Sequence, residues 1–97
     1  MKIQFRHKGN SLGTRFMAKD FRRKIENGLL NNEFITFDFS NVDVISHSFA
    51  DECFGKLLLF TSLPELQSKT TFKNTNPEVK KMIAFVLKER LLQTEYA

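Results

Sequence analysis

The sequence predicts one small α/β domain spanning residues 1–97, with elements in the order β-α-β-α-β-α and a mostly parallel sheet packed with helices. Three short segments have the alternating or β-branched and aromatic pattern of strands, and each precedes a segment with apolar residues at helical spacing. This alternation implies parallel strands joined by right-handed helical crossovers. A chain of 97 residues buries roughly 60–70% of its unfolded surface, which is enough for a core that takes most of the Phe side chains.

The first strand and the first helix are predicted within the N-terminal third. Residues 2–7 alternate apolar and polar side chains, which predicts a half-buried edge strand, and the glycines of residues 8–13 predict a turn. Thr14 is the predicted N-cap of an amphipathic helix that is expected to end near Asn27-Gly28. Its apolar residues recur every four positions: Met17, Phe21, Ile25 and Leu29.

The middle of the chain predicts a buried strand followed by a buried helix. Residues 34–39 are almost continuously apolar, which is typical of a central strand covered on both faces. Apolar residues then dominate residues 48–60 and leave only a narrow polar strip, so this helix is expected to be largely buried and to end before Pro64.

The last strand and helix are predicted from residue 70 onward. Residues 70–73 have strand character. Asn76 followed by Pro77 is typical of a helix start, since Asn is a favoured N-cap and Pro fits the first turn. We expect this helix to run to about Leu92.

The charge is unevenly distributed. Residues 1–24 hold eight Lys or Arg against one acid, which predicts a basic face for an anionic partner. A solvated face or an acidic protein surface explains this charge better than nucleic acid, because no groove-reading motif or stacking aromatic accompanies it. A basic nucleic-acid-associated regulator remains the alternative function. On the first helix the basic face consists of Arg15, Lys19, Arg22, Arg23 and Lys24.

Several functional classes are disfavoured by the composition. Cys53, the only cysteine, lies in an apolar run, so we expect a buried thiol in a reducing cytoplasm and no disulfide or zinc site. The longest apolar run, residues 57–60, is too short to span a membrane, and no signal peptide is recognisable. No nucleophile–base–oxyanion arrangement, metal-ligand spacing or phosphate-binding loop is present, so we expect no enzymatic activity, metal or cofactor.

One stretch of the chain carries a resemblance to a known family. Residues 35–55 contain a hydrophobic strand that ends in Asp38, a short loop, and a Ser-Phe-Ala-Asp-Glu helix start at residues 48–52. The similarity extends upstream to Leu-Gly-Thr-Arg at residues 12–15 and downstream to Asn-Thr-Asn at residues 74–76. The chain resembles the STAS-like domain family of unknown function over nearly its whole length, which implies a small STAS-like domain.

This family is related to the anti-sigma-factor antagonists, which bind a serine kinase of the histidine-kinase ATPase type. Those antagonists are switched by phosphorylation of a Ser or Thr where the corresponding helix starts. The resemblance therefore implies a cytoplasmic, non-enzymatic regulatory module in signal transduction that binds such a protein partner. His47 occupies the phosphoacceptor position here, and Phe49 replaces a Gly. Ser46 and Ser48 are the hydroxyls that remain beside it.

The residues at and before this helix start form the candidate partner-binding or switch site: Asp38, Ser46, His47, Ser48, Asp51 and Glu52. Structural roles compete with these functional ones. Ser48 is expected to cap the helix with Asp51 reaching back, and Glu52 to pair with Lys56. Asp38 is expected to fix the following loop by accepting backbone amides. The functional alternative makes Ser48 a switchable Ser and gives the acids contact with a partner.

Overall fold

The structure, a computed structural model, describes residues 1–6 and 11–96. Three parallel strands form the main sheet in the order β1-β3-β5, and β2 and β4 form a separate two-stranded parallel sheet. The predicted α/β class with parallel strands packed with helices is confirmed. The elements are β1 (Lys2–Gln4), β2 (Ser11–Leu12), α1 (Arg15–Leu30), β3 (Ile35–Asp38), β4 (Val44–Ile45), α2 (His47–Cys53), a 3₁₀ helix (Gly55–Leu59), α3 (Leu63–Lys69), β5 (Thr70–Lys73) and α4 (Pro77–Tyr96).

The main sheet has one apolar face and one polar face. The register places Phe37 of β3 between Ile3 and Phe72, and this face packs against the buried sides of the helices. On the other face Thr36 is only half-buried, and its neighbours Lys2 and Thr71 are exposed. The prediction that the central strand is covered on both faces is therefore wrong for the face of Thr36.

Aromatic stacking centres the core on Phe5. Its ring centroid lies 4.3 Å from that of Phe39 and 4.5 Å from that of Phe21, so β1, the end of β3 and α1 are packed together. The assignment of Phe to the core fails for the side chains that are exposed: Phe16, Phe34, Phe60, Phe72 and Phe85. Within the described ranges, no helix is both long enough and apolar enough to cross a membrane.

The first helix begins as predicted and ends later. The Thr14 hydroxyl accepts a hydrogen bond from the Met17 N–H at 3.1 Å, which confirms the cap. Helix α1 continues past Gly28 to Leu30, because Gly28 serves close packing rather than termination: a Cβ there would lie 2.8 Å from Ile35 Cδ1. Of the predicted turn at residues 8–13, residues 8–10 lie outside the described residues, and Ser11–Leu12 form β2.

The second helix differs from its prediction at both ends. Ser46, not Ser48, is the N-cap of α2; its backbone is extended and its hydroxyl accepts from the Phe49 N–H at 3.0 Å. The helix is shorter than predicted and gives way to the 3₁₀ helix after Cys53. Helix α3 was not predicted, because Pro64 was interpreted as a terminator although Pro is also favoured in a first helical turn, where it lies here.

The last strand and helix follow the local signals. Strand β5 has the predicted bounds, and Asn76 Oδ1 accepts from the Val79 N–H at 2.8 Å, as expected for an N-cap. The Asn76 amide also donates to the carbonyl oxygens of Val42 and Asp43, which fixes the loop before β4. Helix α4 extends to Tyr96, beyond the predicted end at Leu92.

Candidate functional site

Asp38 anchors the loop that leaves the central strand. Its Oδ1 accepts from the Ser40 hydroxyl at 2.6 Å, from the Ser40 N–H at 2.9 Å and from the Asn74 amide at 3.3 Å. Lys2 Nζ lies 3.3 Å from the other carboxylate oxygen. These donors, those of Ser40 foremost, hold the pKa of Asp38 well below its usual range. The predicted structural role of Asp38 in fixing this loop is confirmed.

Asp51 of α2 is buried and faces side chains from α1 and α4. The Arg90 guanidinium binds it in a bidentate manner, with Nε 2.8 Å from Oδ1 and Nη2 2.7 Å from Oδ2. Arg15 Nη1 lies 2.9 Å from the same Oδ2. The hydrogen bonds from Arg90, more than those from Arg15, lower the pKa of Asp51 to about 2 despite its burial. Asp51 thus ties α1 and α4 to α2 and does not reach back to Ser48.

Glu52 is also buried and is surrounded by cations. Arg22 Nη1 lies 2.8 Å from Oε2, and Lys56 Nζ lies 2.9 Å from Oε1, which confirms the predicted pair with Lys56. Arg15 Nη1 is 3.5 Å from Oε1 and links the two acids. Burial raises the pKa of Glu52, but the hydrogen bond from Lys56 and the charge of Arg22 outweigh it, so the pKa lies below its usual value. Asp51 and Glu52 with their cations form what we call the ion-pair network, the cations being Arg15, Arg22, Lys56 and Arg90.

The ion-pair network divides the predicted basic face. Arg15 and Arg22 turn towards α2 and neutralise buried carboxylates. Lys19 and Arg23 remain exposed, and Arg23 lies 4.0 Å from Asp20. The charge pattern of α1 therefore serves partly to hold two helices together, and only part of it faces solvent.

Ser46 joins the starts of α1 and α2. Besides capping α2, its hydroxyl donates to the Gly13 carbonyl at 2.7 Å, and its N–H donates to the Leu12 carbonyl at 2.8 Å. Ser48, the second residue of α2, is half-buried, and its hydroxyl makes no hydrogen bond within the part of the chain that the structure describes. Modification of the Ser46 hydroxyl would break hydrogen bonds, whereas modification of the Ser48 hydroxyl would break none to the described residues.

His47 lies at the surface against α4. Its Nε2 is 2.6 Å from Glu89 Oε1, and its ring meets that of Phe85 edge-on with 5.8 Å between centroids. His47, Met82 and Phe85 line a shallow groove of about 350 Å³ with Glu78 and Lys81. Sequence reasoning missed the contribution of α4, because His47 and Glu89 are 42 residues apart and no local pattern connects them.

Large apolar side chains are exposed around this helix start. Phe16 on the first turn of α1 is 87% exposed, Val44 on β4 is 51% exposed and Phe85 is 54% exposed. Ser46 links the segments that carry Phe16 and Val44, and His47 contacts Phe85. We call Phe16, Val44, His47 and Phe85 the junction surface.

The six predicted site residues thus fall into three places. Asp38 anchors the loop after β3, Asp51 and Glu52 lie in the ion-pair network, and residues 46–48 form the helix start from which His47 joins the junction surface. Cys53 is fully buried, and burial raises the pKa of its thiol, as expected for a core cysteine. Over residues 1–6 and 11–96, no three His, Cys, Asp or Glu side chains are grouped as metal ligands.

Comparison with known families addresses the segment that contains these features. A family model described as the STAS-like domain of unknown function (DUF4325) matches residues 17–80, well over half of the chain. The chain belongs to this family. This match confirms the family resemblance predicted from the sequence. It takes in most of α1 and all of β3, α2 and β5, whereas the predicted upstream similarity at residues 12–15 lies outside the matched residues. Neither the curated proteins nor the solved structures contain a significant match.

Proposed function

We propose that this STAS-like domain is a non-enzymatic regulatory module that binds a protein partner through the junction surface. The observation that carries the proposal is the exposure of Phe16, Val44 and Phe85 around one loop–helix junction. Large apolar side chains that are exposed beside one junction make it a candidate interaction site. The resemblance to the anti-sigma-factor antagonists supports a partner of the histidine-kinase ATPase type or another serine kinase.

The environment of the ionisable groups favours binding over catalysis. A general acid or base works best with a pKa near the operating pH. Asp38, Asp51 and Glu52 all have lowered pKa values and are occupied by hydrogen-bond donors or cations. The Cys53 thiol has a raised pKa and is buried, so it is a poor nucleophile.

Ser48 is the hydroxyl at which we propose that the interaction is switched. It lies next to His47 of the junction surface, and its hydroxyl makes no hydrogen bond to any residue in the described ranges. A phosphate there adds about −1.5 to −2 charge beside the apolar side chains, which disfavours a docked partner. The Ser46 hydroxyl is a poorer candidate, because its modification breaks the bonds to Gly13 and Phe49.

The nucleic-acid alternative has less support than the sequence suggested. Arg15 and Arg22, two cations of the proposed basic face, are paired with buried carboxylates. Binding to nucleic acid needs cations that neutralise phosphates and so displace the counterions condensed on the nucleic acid, and a cation already paired with a protein carboxylate contributes little to this. We therefore expect no binding to duplex DNA even at low salt.

Affinity capture from the native cell tests the proposal. The tagged wild-type domain is compared with Phe85→Ser and with Leu59→Ser, a matched control at the end of the 3₁₀ helix whose side chain is 75% exposed. We expect one ATPase or serine kinase to be enriched by the wild type and by Leu59→Ser, and to be lost with Phe85→Ser. Ser48→Asp should weaken the same capture more than Ser48→Ala. Equal recovery of that partner by Phe85→Ser and Leu59→Ser would contradict docking at the junction surface.

A further inference from the structure

A second surface, which the proposed function does not use, lies at the free edge of the main sheet. Strand β5 is the last strand in the order β1-β3-β5, and Thr71, Phe72 and Lys73 are exposed. The Lys73 carbonyl accepts from the Phe39 N–H at 3.0 Å, so the backbone groups of Lys73 point towards β3. Because backbone groups alternate in direction along a strand, the N–H and C=O of Phe72 point to the open edge.

An apolar groove lies beside this edge. It has a volume of about 240 Å³ and is formed between β5 and α4 by Phe72, Lys80, Ile83, Ala84 and Leu87. Lys80, Ala84 and Leu87 are spaced four and three residues apart, so they lie along one face of α4. The exposed Leu91 continues that face. The edge therefore offers unpaired backbone groups next to a row of apolar side chains.

Both faces of this edge carry a lysine. Lys80 lines the groove, and Lys73, which follows Phe72 on β5, points to the opposite face of the sheet. Neither lysine pairs with an acidic side chain that the structure describes. A partner with carboxylates therefore complements this surface.

A second copy of the chain fits the surface poorly. In a two-fold symmetric contact each residue patch meets itself, so Lys73 and Lys80 of one copy would face the same lysines of the other. Like charges directly opposite on paired strands are destabilising, and lysines on edge strands commonly prevent such self-pairing.

We propose that the edge of β5 and the groove beside it bind an extended acidic segment of a partner protein. The segment pairs with the backbone of Phe72 as an added strand, a recurring mode of peptide recognition. Successive side chains of the bound segment point to opposite faces of the sheet, so the two sets differ in polarity. Those on one side are apolar and enter the groove between Phe72 and Leu87, with Lys80 at its wall, and the acidic ones on the opposite side meet Lys73. This interface is separate from the junction surface and stands independently of the proposed function.

Selection from a displayed library of short random peptides on the wild-type domain tests the proposal. We expect the enriched peptides to alternate apolar and acidic residues. Their affinity should fall by more than about tenfold for Ala84→Glu, because a carboxylate is then placed in the groove that takes the apolar side chains, close to an acidic segment. Gln67→Glu, which adds the same charge at an exposed position of α3, is the matched control and should bind as the wild type does.

Amide hydrogen exchange of the domain with an enriched peptide locates the contact. Protection of the Phe72 N–H on binding is expected, since that group points to the open edge. Failure to enrich peptides, enrichment without an acidic excess, equal binding by Ala84→Glu, or an unprotected Phe72 N–H would each overturn the proposal. If sedimentation detects a dimer of the wild type that dissociates in Ala84→Glu, the edge binds a second copy of the chain instead.

Discussion

Replacing Asp51 with Asn tests whether the ion-pair network holds the helices together. The network lowers the pKa of Asp51 from its ordinary 3.8 to about 2. At about 1.4 kcal/mol for each tenfold change in the ionisation constant, the charged form contributes about 2 kcal/mol to folding. The variant also leaves the largely buried Arg90 without its bidentate acceptor, whereas the half-exposed Arg15 can turn to water. We therefore expect Asp51→Asn to lower the free energy of unfolding by about 2–4 kcal/mol near neutral pH.

The pH dependence separates this effect from a simple packing defect. Because the folded-state pKa of Asp51 is depressed, its contribution is fully present above about pH 4 and is lost as the pH falls towards about 2. Urea denaturation followed by circular dichroism should show the difference between wild type and Asp51→Asn shrinking below about pH 4. Asp20→Asn, which removes an exposed carboxylate, should change the free energy of unfolding by less than about 0.5 kcal/mol. A difference for Asp51→Asn that does not vary with pH would refute the electrostatic explanation.

Two further predictions concern the start of α2 and the start of the 3₁₀ helix that follows it. Ser46→Ala should lower the free energy of unfolding by about 1–2 kcal/mol, because it removes the N-cap and the bond to the Gly13 carbonyl, whereas Ser48→Ala should cost less than half as much in the same urea titrations. Gly55→Ala should cost about 1–3 kcal/mol, because its Cβ would lie 2.5 Å from Asp51 Oδ1, which Arg90 holds in place. Gly13→Ala meets nothing within 4 Å and should leave the thermal midpoint unchanged; equal effects of the two glycine variants would contradict the steric argument.

Most of the fold could be predicted because its signals are local. The caps at Thr14 and Asn76 each bond an N–H three residues ahead, so the motif is visible in a short stretch of sequence. Residues 34–39 were recognised as a strand by their β-branched and aromatic character. A two-residue ladder such as that of β2 and β4 has no periodicity to detect, since its strands are too short to show alternation.

The helix starts that were misassigned had two valid local signals. Ser46 and Ser48 both precede a suitable first turn, and only the contact between Ser46 and the Gly13 carbonyl, far away in the chain, favours one. Pro64 can follow a helix or lie in the first turn of the next, and the sequence alone does not distinguish the two.

The candidate site depended on contacts that no local pattern contains. Arg90 meets Asp51 across 39 residues, so the sequence around Asp51 indicates only an acid in the first turn of a helix. The charges of α1 could be counted but not oriented, and Arg15 and Arg22 proved to point inward. Two of the predicted partner-facing acids, Asp51 and Glu52, are thus ion-pair partners of two cations of the predicted basic face, Arg15 and Arg22.

The bidentate contact of Arg90 also limits how far α4 can fray. Opening the helix from its C-terminal end as far as Arg90 would strip Asp51 of its main counterion while leaving that carboxylate under the protein surface. The turn beyond, which carries the exposed Leu91 and Leu92, has no such penalty. The peptide amides of residues 91–96 should therefore exchange with solvent early, and those in the middle of α4 only when the whole domain opens.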